Sequence, residues 1–172
     1  MKNIVLTGFM GTGKSSVGKR LANDLKCGFI DTDLLLEQDA GMAVKEIFVQ
    51  QGEAYFRKLE AGVISRLTSG AYGDSLVVST GGGAVVDPEN RRKLRAWGAV
   101  ICLTASVDAI LARVERSDER PLLSVDNRQV EIEKRLIARR PAYSDSDLTI
   151  DTTDKTVAEV TAEIKAFLKE RG

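Results

Sequence analysis

Apolar positions along the chain follow two rhythms: short unbroken runs and longer stretches with helical spacing. Ile4-Val5-Leu6-Thr7 has the length and composition of a strand buried on both faces. Past a group of glycines, Val17, Leu21, Ala22 and Leu25 recur at helical intervals, predicting a helix over about Lys14–Lys26. Phe29-Ile30 is a brief second strand ending at Asp31, and residues 34–69 read as mostly helical with interruptions near Gly41 and Gly52. Leu76–Ser79 is a third strand and Ala99–Leu103 a fourth, and between them Asp87-Pro88-Glu89 starts a helix with a cap, a first-turn proline and an acid near the positive dipole end. Asp108–Glu115 is helical, Arg116–Pro121 breaks the pattern, and helix returns over residues 127–138. Leu148-Thr149-Ile150 is the last strand. Val157, Val160, Ile164, Phe167 and Leu168 mark an amphipathic C-terminal helix.

Strands separated by helices predict an α/β fold, a five-stranded parallel sheet with helices on both faces. Neither an internal repeat nor a dividing linker is visible, so residues 1–172 read as one domain.

Composition narrows the chemistry. The chain has 172 residues, 43% hydrophobic and 29% charged, an ordinary globular balance. Lys plus Arg and Asp plus Glu both total 25, so no global field favours nucleic acid or an anionic membrane. There is no His, which removes Ser-His-Asp and Cys-His nucleophilic systems and HExxH zinc sites. Cys27 and Cys102 are too far apart for a CxxC pair, and their apolar neighbours make them reduced core thiols. The N-terminus runs straight from an apolar run into glycines and Lys14, unlike a signal peptide, and no apolar stretch is long enough to span a bilayer. A cytoplasmic protein is expected, and balanced charge without an exposed apolar stripe points to a monomer.

Gly8-Phe9-Met10-Gly11-Thr12-Gly13-Lys14-Ser15 matches G-x-x-x-x-G-K-[ST] at every fixed position, directly after a strand and opening a helix. Glycines let successive N–H groups curl toward one point, and the helix N-terminus adds partial positive charge there. Lys14 can reach β- and γ-phosphate oxygens, and the Ser15 hydroxyl can ligate Mg²⁺. The motif predicts nucleoside triphosphate binding. Neither N-K-x-D nor D-x-x-G occurs, which argues against a GTPase switch, and the run Leu76-Val77-Val78 ends in Ser79-Thr80 and glycines rather than the Asp-Glu of a mechanical ATPase. Small size with this loop favours phosphoryl transfer to a small molecule.

Acceptor chemistry is more ambiguous. Asp31-Thr32-Asp33 follows a strand, at the end of a parallel sheet that faces ligands. One carboxylate there suits Mg²⁺ and the other an acceptor hydroxyl, but Asp before Leu34-Leu35-Leu36 also suits a helix cap. Arg57 lies one turn from Glu53 and Glu60, either as surface salt bridges or as a ligand cation. Gly81-Gly82-Gly83 stabilises nothing by packing, and close approach of a ligand explains it. Arg120-Pro121-Leu122-Leu123 reads as a mobile lid whose Arg can reach a transferring phosphate. Arg139-Arg140-Pro141 ends a helix, either to answer its dipole or to serve the site.

In this order and spacing, GFMGTGKSSVG at 8–18, DTD at 31–33, FRKLE at 56–60, GGGAV at 81–85, RPLL at 120–123 and RRPAY at 139–143 resemble the shikimate kinase family. The resemblance runs from Ile4 to about Ile150, and the combination beyond the phosphate loop is what makes it specific. It implies a three-layer P-loop kinase of the nucleoside-monophosphate-kinase type that transfers the ATP γ-phosphate to the 3-hydroxyl of shikimate in aromatic amino-acid biosynthesis. The ATP contacts it implies are Gly11, Thr12, Gly13, Lys14, Ser15 and Ser16, with Arg113 against adenine and Arg120 on the phosphates. For the acceptor it implies Arg57 and Arg139 on the carboxylate, Gly81, Gly82 and Gly83 by the ring hydroxyls, and Asp33 as base. Mg²⁺ falls to Ser15, with Asp31 through water. The acceptor region spans about 33–60 and the lid about 113–126. One departure stands out: many members carry a proline beyond adenine where this chain has Asp151-Thr152-Thr153-Asp154. Two rival functions are a gluconate kinase, which shares the fold and an acidic acceptor, and a nucleotide-binding regulator without acceptor chemistry.

Overall fold

A computed structural model describes residues 3–115 and 127–171. In chain order the elements are β1 (Asn3–Thr7), α1 (Lys14–Leu25), β2 (Gly28–Asp31), α2 (Thr32–Ala40), α3 (Val44–Thr68), β3 (Leu76–Ser79), a short 3-10 turn (Ala84–Val86), α4 (Pro88–Trp97), β4 (Gly98–Thr104), α5 (Val107–Glu115), α6 (Arg128–Ser144), β5 (Leu148–Asp151) and α7 (Val157–Arg171). The strands form one sheet in the order β2-β3-β1-β4-β5, every pair parallel. The expected α/β architecture is therefore present.

Side chains alternate across the strands, and each face has its own core. Val5, Val78, Val100 and Cys102 pack on one face against Ile64 and Leu67 of α3, Leu94 of α4 and Ile110 of α5. Ile4, Leu6, Val77, Ile101 and Leu103 pack on the other against Val17 and Leu21 of α1 and Val160 and Ile164 of α7. Two-sided burial is why these strands read as unbroken apolar runs rather than alternating ones. A third cluster, Leu36, Ile47, Phe56 and Val63, joins α2 to α3 away from the sheet, and it carries the FRKLE motif.

Three details differ from the sequence expectations. Helix α6 does not end at residue 138 or at Pro141 but runs through the proline to Ser144. An interior proline costs a helix about 3 kcal/mol. Here the turn beyond it buries Ala142 and Tyr143 in the core, which offsets that cost. The Asp that caps α2 is Asp31, whose carboxylate accepts from the Asp33 amide; Asp33 itself lies in the first turn. Cys102 is a core thiol as expected, but Cys27 is only half-buried; both are free.

The interruption expected near Gly52 is a kink inside α3. Gly52 has φ 81° and ψ 172°, a backbone position that disfavours any side chain. A new helical segment therefore starts at Glu53 and carries Arg57 and Glu60 toward the sheet. Among the described residues no helix is long and apolar enough to cross a membrane.

Candidate active site

The carboxyl ends of β1, β2 and β3 open into one cleft lined by Gly11, Gly13, Lys14, Ser15, Ser16, Asp31, Asp33, Ser79, Thr80 and Gly82. This is the end of a parallel sheet, beside the strand where the order reverses, at which open α/β folds bind ligands.

Its phosphate side is the loop between β1 and α1. Gly8 has φ 128°, and a Cβ there would lie 2.1 Å from the Leu103 carbonyl oxygen, so no larger residue fits. Gly13, at φ 95°, precedes α1 and offers no side-chain cap, which leaves the first amides of the helix for an anion. Thr12 closes the loop by donating to the Phe9 carbonyl at 2.7 Å. The Lys14 ammonium is folded back, donating to the Gly8 and Phe9 carbonyls at 2.8 Å each. These are neutral acceptors that an anionic phosphate chain outcompetes.

Next to it, the Ser15 hydroxyl donates to Asp31 Oδ2 at 2.8 Å and lies 3.3 Å from the Ser79 hydroxyl. Asp31 thus has two jobs: Oδ1 caps α2 and Oδ2 faces the loop. The helix-cap reading of the Asp31-Thr32-Asp33 segment is therefore seen on Oδ1, while Oδ2 is held by the Ser15 hydroxyl.

The opposite side is built from side chains. Arg57 Nη1 donates to Glu60 Oε2 at 2.8 Å and Nη2 to Glu53 Oε1 at 3.2 Å. The Glu60 pair is no surface salt bridge, because Glu60 is only 2% exposed. Burial pushes the Glu60 carboxyl above its usual range, against the downward pull of Arg57 and with a further rise from nearby Asp33. Its Oε1 is a buried oxygen without a hydrogen-bond partner among the described residues. Arg57 keeps its charge: burial opposes it, but Glu60 and then Glu53 outweigh that and raise its pKa.

Two of the three glycines, Gly81 and Gly83, have a reason within the fold itself, while a Cβ on Gly82 would meet only the phosphate-loop backbone, at 3.4 Å from the Met10 nitrogen. A Cβ on Gly81 would sit 2.7 Å from Asp33 Oδ1 and 3.0 Å from Glu60 Oε1, and one on Gly83 would sit 2.5 Å from Arg57 Nη1. At these two positions the loop is bare because charged side chains of the site itself press against it. From α6, Arg139 Nη1 donates to the Gly82 carbonyl at 3.3 Å while its guanidinium lies 5.6 Å over the Phe9 ring. The Tyr143 hydroxyl donates to the same carbonyl at 2.5 Å. Burial raises the Tyr143 pKa, so it stays a neutral donor.

At the third corner Arg113 donates to the Gly11 carbonyl at 3.1 Å, to Thr152 Oγ1 at 3.1 Å, and to the Thr152 and Thr153 carbonyls at 2.7 and 3.2 Å. Thr152 Oγ1 in turn donates to the Thr12 carbonyl at 3.0 Å. The departing stretch Asp151–Asp154 is thereby tied to the phosphate loop through Arg113. Arg120 and residues 116–126 of the expected lid lie outside the described residues.

Lys14, Ser15, Asp31 and Asp33 therefore share the cleft with the glycine loop, on which Arg57 and Arg139 also converge. Glu60 entered the sequence reading only as a salt-bridge partner of Arg57, and Phe9 and Tyr143 only within the GFMGTGKSSVG and RRPAY motifs. Glu60 falls three residues after Arg57 and Tyr143 four after Arg139, the helical spacing of a shared face, and that spacing was the available signal.

A family model described as shikimate kinase matches residues 10–169, nearly the whole chain. The chain belongs to the shikimate kinase family. Membership makes it an ATP-using kinase that phosphorylates shikimate in aromatic amino-acid biosynthesis. A shikimate kinase of Caldanaerobacter subterraneus subsp. tengcongensis is 48% identical over 176 residues, covering 100% of this chain and 99% of that protein. The structure of shikimate kinase from Acinetobacter baumannii in complex with shikimate superposes with a TM-score of 0.93 at 35% identity, over 99% of this chain and 94% of that one. A gluconokinase from Sinorhizobium meliloti reaches a TM-score of 0.64 at 18% identity, over 98% of this chain and 92% of that one, a likeness of fold alone.

Proposed function

We propose that this family member transfers the ATP γ-phosphoryl group to the 3-hydroxyl of shikimate with the groups gathered in the cleft. The observation that carries the reading is the convergence of two guanidinium groups, Arg57 from α3 and Arg139 from α6, on Gly82 and Gly83 opposite the phosphate loop. Shikimate is a small carboxylate with three hydroxyls, so it needs cations at one end and acceptors at the other. Arg57 and Arg139 hold the carboxylate, the Gly81–Gly83 backbone lies along the ring, and Asp33 receives the hydroxyl proton as the oxygen attacks phosphorus.

Gly11, Thr12, Gly13 and Ser16 line the triphosphate. Lys14 turns from its carbonyls to the β- and γ-oxygens, where its charge stabilises the transferring group. Arg113, fixed between the phosphate loop and Thr152, borders the purine. Arg120 is assigned to the phosphates by its RPLL motif. Ser15 Oγ and Asp31 Oδ2 offer a hydroxyl and a carboxylate oxygen, a donor set that suits Mg²⁺ beside phosphate and water. Mg²⁺ held by these two groups would supply positive charge against the phosphate oxygens.

These groups gather at the carboxyl end of one continuous sheet, which supports a single domain, and the balanced charge is the ground for a monomer. Equal basic and acidic totals support small-molecule partners rather than nucleic acid or membrane. ATP as co-substrate, with two free thiols, supports a cytoplasmic location.

The test is Mg²⁺-dependent ADP release from ATP with shikimate, with gluconate, or with no acceptor. Release that requires shikimate is expected. Release with gluconate instead moves Arg57 and Arg139 onto another acid, and ATP binding without acceptor-dependent release leaves only the phosphate loop standing.

A further inference from the structure

Arg57 has two arms, and each holds a carboxylate of its own helix. Nη1 is on Glu60, whose side chain is 3% exposed, and Nη2 is on Glu53, whose side chain is 68% exposed. The arms are not equivalent. A buried pair is costly to break because it strands a charge away from water, whereas an exposed pair four residues apart on a helix is weak and exchanges with solvent.

Glu53 owes its place to the kink. Gly52 ends the first half of α3, so Glu53 opens the second half, where the helix dipole favours an acid. Glu placed four residues before Arg is also the better order for a helical ion pair. Charge supplies a reason for this pair to yield. Around the Gly81–Gly83 loop stand Arg57 and Arg139 against Glu53, Glu60 and Asp33, three carboxylates on two guanidiniums. A fourth carboxylate, the acceptor's own, adds to that excess, and the withdrawal of one of the three offsets it. Glu60 is buried and Asp33 is pressed against Gly81, which leaves the exposed one.

We infer that Glu53 is an exchangeable stand-in for the acceptor carboxylate: it occupies Nη2 of Arg57 in the free enzyme, yields when shikimate binds, and so sets acceptor affinity. The inference rests on the reading that Arg57 grips that carboxylate. Glu53 competes with substrate for one arm, and its release couples the start of the second half of α3 to a filled acceptor site.

Steady-state kinetics with shikimate and with shikimate methyl ester test it, the ester keeping the ring and lacking the charge. Glu53→Gln is expected to lower KM for shikimate about two- to fivefold, the strength of an exposed ion pair. KM for the ester and for ATP is expected to stay unchanged. Glu53→Asp keeps the charge but withdraws it by one methylene, and it is expected to follow Glu53→Gln. An unchanged or raised shikimate KM in Glu53→Gln overturns the inference, as does an equal change for the ester. A Glu53→Asp protein that matches wild type also overturns it, by showing that charge at a distance acts rather than contact. Arg57→Ala separates the two claims. If it raises KM for acid and ester alike, the reading of Arg57 fails, whatever Glu53 does; if it raises KM for the acid alone, that reading stands and the Glu53 variants decide.

Discussion

The phosphate side of the cleft is one continuous stretch, Gly8–Ser15, whereas the acceptor side gathers Asp33, Arg57, Gly82, Arg139 and Tyr143 from four separate parts of the chain. In the proposed function the first binds with backbone amides whose directions are set by positive φ at glycines and by the start of α1. In the same proposal the second binds with side chains that hold one another in place, Arg57 on Glu60 and both Arg139 and Tyr143 on the Gly82 carbonyl. One side is preorganised by local geometry and the other by tertiary packing. Damage to one should therefore leave the other largely intact.

The largest expected effect comes from Lys14, whose ammonium is the full charge carried by the backbone-built side among the described residues. Lys14→Ala should lower kcat by about a hundred- to a thousandfold, the scale on which removal of one charge-stabilising donor acts. Shikimate binding, measured by calorimetry without nucleotide, should change little. A variant retaining a tenth of the wild-type rate would show that the ammonium does not act on the transferring group.

A smaller effect is expected on the acceptor side from Gly83→Ala. The new Cβ would meet Arg57 Nη1 at 2.5 Å, and the end of a flexible side chain moves more easily than backbone. The fold should survive, with Tm close to wild type, while KM for shikimate rises about tenfold, the scale of 1.4 kcal/mol, and KM for ATP stays put. Equal rises for both substrates would break the separation between the two sides.

The smallest concerns pH. The Glu60 carboxyl is raised in the folded protein, by burial first, so the folded state holds its proton at pH values where the unfolded chain has lost it. That contribution to stability is fully present below the ordinary glutamate value of about 4.3 and is lost as pH rises through the higher folded value. Glu60→Gln removes the titration. The Tm difference, wild type minus variant, should therefore shrink as pH rises above about 4.5. A difference that grows with pH would mean that the pull of Arg57 prevails over burial.

The two sides also differed in how plainly the chain announced them. Gly8–Ser15 was legible because its chemistry is local: fixed glycine spacing, a strand before and a helix after. The five strands were legible because burial on both faces leaves unbroken apolar runs. Glu60 was hidden because a glutamate one turn from an arginine looks the same on a helix surface as in a core. Only the packing of α3 against the sheet distinguishes the two. Pro141 misled for a related reason, since local propensity ends a helix there while the burial of Tyr143 carries it on. The triple glycine pointed to a close approach, and at Gly81 and Gly83 the fold itself supplies approaching groups, Asp33, Glu60 and Arg57, distant in sequence and brought together by tertiary packing.

The most direct test of the division is Arg57→Ala, with KM for shikimate and for ATP measured side by side in a protein shown to stay folded. Removing the guanidinium deprives the acceptor carboxylate of a charged partner, which costs about 2 kcal/mol or more. The account predicts a rise in shikimate KM of about thirtyfold or more, the factor that energy corresponds to, with ATP KM within about twofold of wild type. A comparable rise for both substrates, at unchanged stability, would contradict it and make Arg57 a part of the scaffold rather than of the acceptor site.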